Sequence, residues 1–198
     1  MQIIAVTGRS GSGKSTVASF YAEMGYIVLD GDQAARQILQ PGTLVVQDLQ
    51  RVFGADITDA SGQVNRPLLA QRAFANAQTA KQLTDITHPA IVRLLLDGVE
   101  KARMQGQSIV FVDGAVIINA PFEKYCTGII LVTAPLQHAV ARIMQRDGLT
   151  QEMATARLAS QLPEEEMKKR ADYIIENNAE KAALRHKALE VLRKIKGA

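Results

Sequence analysis

A glycine-rich stretch, Gly8-Arg9-Ser10-Gly11-Ser12-Gly13-Lys14-Ser15, stands between an apolar run and an amphipathic one, and that order leaves the chain few architectures to adopt. Gln2 to Thr7 reads as a short buried strand. From Thr16 onward, Val17, Phe20, Tyr21 and Met24 recur at i, i+3, i+4 and i+7, the spacing of one helix face. A stop at Met24-Gly25 is followed by a second apolar run, Tyr26-Ile27-Val28-Leu29, so residues 1–30 read as a β-loop-α-β unit that starts a parallel sheet. The stretch fits G-x-x-x-x-G-K-S/T. Its glycines let successive N–H groups curl around one centre, and the helix N-terminus adds partial positive charge there. The expected ligand is a nucleoside triphosphate, with Lys14 reaching the β- and γ-phosphates and the Ser15 hydroxyl on Mg²⁺.

The rest of the chain narrows the class. With 198 residues, 47% of them hydrophobic but only 5% aromatic, the composition suits one soluble α/β domain spanning 1–198, with a core of aliphatic strands and helices. A formal charge of +3, with basic residues spread along the chain and no aromatic interleaving, gives no sign of nucleic-acid binding. Cys126 is the one cysteine and has no basic-neighbour pattern, so it is expected to be inert and unpaired. The most apolar stretch, 109–120, is interrupted by Asp113 and is too short to span a bilayer. No secretory leader is evident at the N-terminus, and the expected compartment is the reducing cytoplasm.

Between Ala34 and about Arg103 the sequence predicts helices broken at Pro41-Gly42, Asp56 to Gly62, Pro67 and His88-Pro89, with no strand. The continuous apolar runs 108–112 and 128–132 then return to a sheet covered on both faces. A helix from Pro135 to Arg146, further helical segments to Arg170, a short strand at 173–175 and a final helix carrying Leu184, Ala188, Val191, Leu192 and Ile195 complete the chain. The fold class is therefore α/β: a three-layer parallel sheet, with a helical insertion at about 34–105 over the carboxyl ends of the strands.

Transfer of a phosphoryl group to an alcohol needs a carboxylate near the acceptor oxygen. The second strand ends in Leu29-Asp30-Gly31-Asp32, and either aspartate could serve; equally, Asp32 is suited to cap a helix starting at Gln33. Asp113, ending the third strand, fits a carboxylate of the metal shell or an ordinary turn residue. Arg142 and Arg146, four apart on one helix, emerge on the same face, either to close over a triphosphate or to face solvent. Glu164, Glu165 and Glu166 precede Lys168, Lys169 and Arg170 at i, i+4, the pattern of a self-paired exposed helix. His88 before Pro89 is a candidate substrate contact or a structural residue, and His138 and His186 show no metal-ligand spacing. There is no Asn-Lys-x-Asp guanine-reading motif and no Leu-Ser-Gly-Gly-Gln signature, which argues against a regulatory GTPase or a motor-type ATPase.

Taken together these motifs resemble the dephospho-coenzyme A kinase family. The similar stretches run through almost the whole chain: Thr7-Gly8 to Ala18, Val28 to Asp32 with Ala35-Arg36, Phe53-Gly54, Gly62 with Asn65-Arg66, Leu69 and Phe74, Ile86 to Ile91, Arg142 to Asp147, Arg157 with Gln161, and Ala171 to Ile175 running into Asn177-Asn178. The resemblance implies the P-loop kinase type of fold, with a helical lid at about 136–171. It implies ATP-dependent phosphorylation of the ribose 3′-hydroxyl of dephospho-coenzyme A, the last step of coenzyme A synthesis, with Mg²⁺. In that reading Asp32 is the catalytic base, assisted by Lys14 and Arg142. Gly8, Gly11, Ser12, Gly13, Lys14, Ser15, Thr16, Arg142 and Arg146 hold the nucleotide. Asp32, Arg66 and His88 hold the acceptor, and Ser15 and Asp113 hold the metal. The chain departs from the family pattern at Arg9-Ser10, usually Gly-Ile, at Ala115, usually Pro, at Asn119, usually Glu, and at Ala179, often Gly.

Overall fold

The computed structural model describes residues 1–114, 117–178 and 180–197. Ala115 and Ala179 lie outside the described residues. In chain order the elements are β1 (Gln2–Thr7), α1 (Lys14–Glu23), β2 (Ile27–Asp30), α2 (Gly31–Gln37), α3 (Leu44–Phe53), α4 (Arg66–Ala73), α5 (Ala77–Met104), β3 (Ile109–Asp113), β4 (Gly128–Thr133), α6 (Leu136–Asp147), α7 (Gln151–Ala159), α8 (Glu164–Lys168), β5 (Tyr173–Glu176) and α9 (Lys181–Ile195). The chain divides into two compact units, residues 1–30 with 99–198, and residues 31–98. No helix among the described residues is long and apolar enough to cross a membrane.

The first unit is built on a five-stranded parallel sheet in the order β2-β3-β1-β4-β5. Chain direction from β1 leads toward β2, while that from β4 leads toward β5, so the order reverses between these neighbours. Open parallel sheets bind ligands beyond the carboxyl ends of the strands at such a reversal. The glycine-rich loop leaves β1 there. Although the strands are apolar throughout, alternation still sorts their side chains. Ile4 and Val6 of β1, Phe111 of β3, and Ile130 and Val132 of β4 join Val17, Phe20 and Tyr21 of α1 and Leu184, Ala188, Val191 and Leu192 of α9 in one core. Ile3, Ile27, Leu29 and Val110 form another cluster with Val99 and Ala102 from the end of α5. Phe111 stacks on Tyr21 with ring centroids 4.0 Å apart, and the Tyr21 hydroxyl donates to the Ala188 carbonyl at 3.1 Å, giving a buried phenol its partner.

Strand β5 is tied to its neighbour by a side chain. Asp172 accepts from the Ile129 N–H at 2.8 Å while its own N–H donates to the Ile129 carbonyl at 3.0 Å. The Ala-Asp-Tyr stretch thus anchors an edge strand. Helices α6 and α7 pack through Ala139, Val140, Ile143, Ala154 and Leu158. On α8 the charge ladder forms only in part: Lys168 pairs with Glu164 and Glu165, and Lys169 with Glu166. Arg170 instead pairs with Glu123 at 2.7 Å. The reason is length, because α8 ends at Lys168 and Arg170 is no longer on the helix.

The second unit is helical as expected, with a single bridge between Thr58 and Val64 the only strand-like pairing among its described residues. Thr43 caps α3 by accepting from the Val46 N–H, and Asn65 caps α4 by accepting from the Leu68 N–H, each with Oγ1 or Oδ1 taking a donor the helix cannot use internally. Val46, Leu49, Phe53, Ile57, Val64, Leu69 and Ala73 form its core. Two sequence expectations change here. Asp32 does not cap a helix beginning at Gln33, since α2 begins at Gly31 directly after β2 and Asp32 lies in its first turn. Nor does the chain break at His88-Pro89, because α5 runs through Pro89. Pro89 removes the donor for the Asp85 carbonyl, and both residues are exposed, so water can solvate that carbonyl while packing on either side holds the helix.

Candidate active site

The loop between β1 and α1 is held from outside. Arg142, reaching from α6, donates through Nη1 to the carbonyls of Gly11 at 3.0 Å and Ser12 at 3.4 Å. Asn177, just past β5, is buried and donates through Nδ2 to the Ser12 carbonyl at 2.7 Å. The backbone of α6 and the side chain of Asn177 both sit tight against glycine. A Cβ on Gly11 would lie 2.5 Å from the Ala139 carbonyl oxygen, and one on Gly13 would lie 2.3 Å from Asn177 Nδ2; both residues also have positive φ, 74° and 97°. In a planar peptide unit a C=O and the N–H that follows it point opposite ways, so holding the Ser12 carbonyl outward turns the Gly13 N–H inward. Among the loop N–H groups, that of Ser12 is taken by the Arg9 carbonyl at 3.1 Å. Those of Gly11, Gly13, Lys14 and Ser15 find no acceptor among the described residues. That is a set of donors waiting for an anion.

Lys14 and Asp113 meet beside this cradle. Lys14 Nζ lies 2.9 Å from Asp113 Oδ1, with the two side chains 15% and 11% exposed. Asp113 ends β3 level with Val6 of β1 and with Asp30 of β2. The hydroxyls of Thr7 and Ser12 are buried with no partner among the described residues, so the cradle holds polar atoms that a bound phosphate or water would satisfy. For Mg²⁺, which takes oxygen ligands and keeps several waters and phosphate oxygens of its own, the Ser15 hydroxyl and the Asp113 carboxylate are a donor set of the right kind. No group of three or more His, Cys, Asp or Glu residues arranged for a metal occurs among the described residues.

A family model described as dephospho-CoA kinase matches residues 2–183. The chain belongs to the dephospho-CoA kinase family. A dephospho-CoA kinase of Corynebacterium diphtheriae is 37% identical to it, over 96% of this chain and 96% of the relative. The crystal structure of TT1252 from Thermus thermophilus matches with a TM-score of 0.85 and 34% identity, covering 96% of this chain and 95% of that one. A dephospho-CoA kinase from Campylobacter jejuni matches with a TM-score of 0.64 and 28% identity, over 98% and 97% of the two chains. The fold is that of the P-loop kinases.

Within this dephospho-CoA kinase the sequence-predicted residues fall into separate groups. Gly8, Gly11, Ser12, Gly13, Lys14, Ser15, Thr16, Asp113 and Arg142 gather at the carboxyl end of the sheet in the first unit. Arg146 does not join them through hydrogen bonds: its Nε and Nη2 donate to Asp147 at 2.7 and 2.8 Å, and Asp147 also takes Arg157 Nη1 at 2.5 Å. Asp32, Arg66 and His88 belong to the second unit. Asp32 is exposed, and among the described residues its carboxylate makes no hydrogen bond or ion pair. Arg66 opens α4 and lines an apolar cavity of about 230 Å³ with Ile38, Leu69, Phe74 and Leu83. His88 is half-buried in the middle of α5.

Sequence reasoning missed Asn177 as a support of the loop. The signal was present as an Asn pair following the last strand, but the contact spans 165 residues of chain and no local pattern announces it. It also read Asn119 as the loss of an acidic group. Here Asn119 adopts the left-handed conformation (φ 63°), and its N–H donates at 2.7 Å to Glu123, whose other oxygen takes Arg170. Glu123 therefore places a carboxylate against the Asn119 backbone. Cys126 is half-buried, and burial, then the Glu123 charge, push its thiol up to about 12, which disfavours the thiolate.

Proposed function

We propose that this kinase moves the γ-phosphoryl group of ATP onto the ribose 3′-hydroxyl of dephospho-coenzyme A, and that its own residues divide the work as follows. The N–H groups of Gly11, Gly13, Lys14 and Ser15 receive the phosphates, with Ser12 and Thr16 completing the cradle. Lys14 leaves Asp113 and turns to the β- and γ-phosphate oxygens, where its charge offsets that of the group in flight. Among the described residues only Nη1 of Arg142 makes hydrogen bonds, to the loop, so Nε and Nη2 remain for phosphate oxygens while the same side chain holds the loop in shape. Arg146, fixed by Asp147, lines the nucleotide side of the lid formed by α6, α7 and α8.

Asp32 orients the acceptor hydroxyl and takes its proton as the oxygen bonds to the γ-phosphorus and the bond to the ADP oxygen breaks. Arg66 and His88 hold the acceptor from the helical unit. Ser15 and Asp113 would hold Mg²⁺, which would supply positive charge against that of the phosphates. The single observation that carries this reading is the set of partnerless loop N–H groups beside Lys14, in a chain matched over residues 2–183 by its family model. The test is ADP release with dephospho-coenzyme A, adenosine, AMP and pantetheine derivatives offered in turn. Preferential turnover of dephospho-coenzyme A is expected, and preference for any other acceptor would overturn the assignment.

A further inference from the structure

Arg9 has no task in the chemistry above, yet its surroundings are unusual for a cation. It is half-buried at the start of the loop, and its Nη2 donates to the main-chain carbonyl of Leu158 near the end of α7. Its Nε is buried with no partner among the described residues. Glu164, which lines a cavity together with Arg9, is paired with Lys168 at 3.0 Å. One residue further on, the Ser10 N–H donates to Gln161 Oε1 at 3.0 Å. Consecutive residues of the phosphate loop are thus fastened to Leu158 and Gln161, two positions three apart where α7 gives way to the turn before α8. Cavities of about 280 and 340 Å³ flank Arg9, one shared with Gly8 and Gln161, the other with Ser10 and Ser12.

We infer that Arg9 and Gln161 form a latch that seats the end of α7 on the phosphate loop and so keeps water from the transferring phosphoryl group. The inference rests on the kinase reading above, and both residues are positioning residues in it. A half-buried guanidinium whose hydrogen-bond partner is a neutral carbonyl is costly until an anion arrives. Triphosphate in the adjacent cradle supplies that anion, so nucleotide binding tightens the latch. Gln161 Nε2 has no partner among the described residues and is free to donate toward the same oxygens. Helices seated over the loop exclude water. With the latch undone, water competes with the acceptor: its oxygen bonds to the γ-phosphorus, the bond to the ADP oxygen breaks, and ADP, inorganic phosphate and a proton result.

The experiment compares Arg9→Gly, Arg9→Lys, Gln161→Leu and the Arg9→Gly/Gln161→Leu pair in the full chain, following ADP and coenzyme A separately, with and without dephospho-coenzyme A. The ratio of acceptor-free hydrolysis to transfer is expected to rise about tenfold in Arg9→Gly and in Gln161→Leu, the size of one charge-assisted hydrogen bond. The pair should do little more than either single change, because one latch is already open. Arg9→Lys should keep most of the coupling, since it retains a cation and a donor. An unchanged ratio in both single variants, at an unchanged melting temperature, would overturn the latch; so would effects that multiply in the pair. If Arg9→Gly does not fold, Gln161→Leu decides alone. Should the wild type make ADP but no coenzyme A, the acceptor assignment fails, and acceptor-free hydrolysis in the same variants still reads the latch.

Discussion

Asp32 and Asn177 are the two residues whose substitution separates the proposed roles most cleanly. Asp32 is exposed in the first turn of α2, so Asp32→Asn should leave folding and nucleotide affinity nearly intact. Turnover should fall by about two to four orders of magnitude, as removal of a general base does. Steady-state rates together with ADP titration calorimetry check this, and near-normal turnover would end Asp32's candidacy. Asn177→Leu keeps the branched outline of the side chain but removes the nearer of the two donors to the Ser12 carbonyl, leaving it Arg142 Nη1 alone at 3.4 Å, at a cost of about 1 kcal/mol. The expected result is ADP affinity weaker by about tenfold, with the Michaelis constant for dephospho-coenzyme A unmoved. Equal damage to both substrates would show that Asn177 supports the fold generally and not the loop.

At the scale of elements, the joint between α6 and α7 carries a pH dependence. Asp147 ends α6 and holds Arg146 and Arg157, and these hydrogen bonds and charges, that of Arg146 first, lower its carboxyl to about 2 from an ordinary 3.8. A carboxyl depressed in the folded state binds its proton more readily when unfolded. Its contribution to stability is therefore complete above the unfolded value of 3.8 and is lost as pH falls toward about 2. Asp147→Asn should accordingly lower the melting temperature at pH 6 to 7, and the gap from wild type should close on acidification below about pH 4. Melting curves of both proteins across that range test it; a constant gap would mean that the carboxylate charge is not what ties the joint. The other helix of note, α5, shows that a mid-helix proline need not end a helix when the freed carbonyl can reach water.

For the whole molecule, the sheet's central packing decides stability. Phe111 is fully buried in β3, stacked on Tyr21 at 4.0 Å and met edge-on by Tyr26 at 5.5 Å. Phe111→Ala should cost about 3–5 kcal/mol, since rigid neighbours on two sides leave the cavity little room to collapse. Urea unfolding followed by circular dichroism should show the midpoint falling with an unchanged slope. A loss below about 1 kcal/mol would mean that α1 and α9 repack over the gap.

The β-loop-α-β unit, the parallel apolar strands and the phosphate cradle are legible in the residues themselves, because glycine placement, side-chain period and the Lys14-Ser15 pair are all local. The family motifs extend that reading to the acceptor. What the linear chain does not contain is which groups meet across long separations. Asn177 beneath Ser12, Arg142 turned onto the loop carbonyls, Glu123 against Asn119 and Arg9 fastened to Leu158 each join residues distant in sequence or set by a turn no pattern specifies. The start of α2 at Gly31 and the passage of α5 through Pro89 depend likewise on their surroundings, one on a strand ending directly before it, the other on solvent beside it. Local composition determined the elements and the ligand class; only the tertiary structure decided which hydrogen-bond donors hold the loop open for it, because those bonds exist only once the sheet has brought β1, α6, α7 and the end of β5 together.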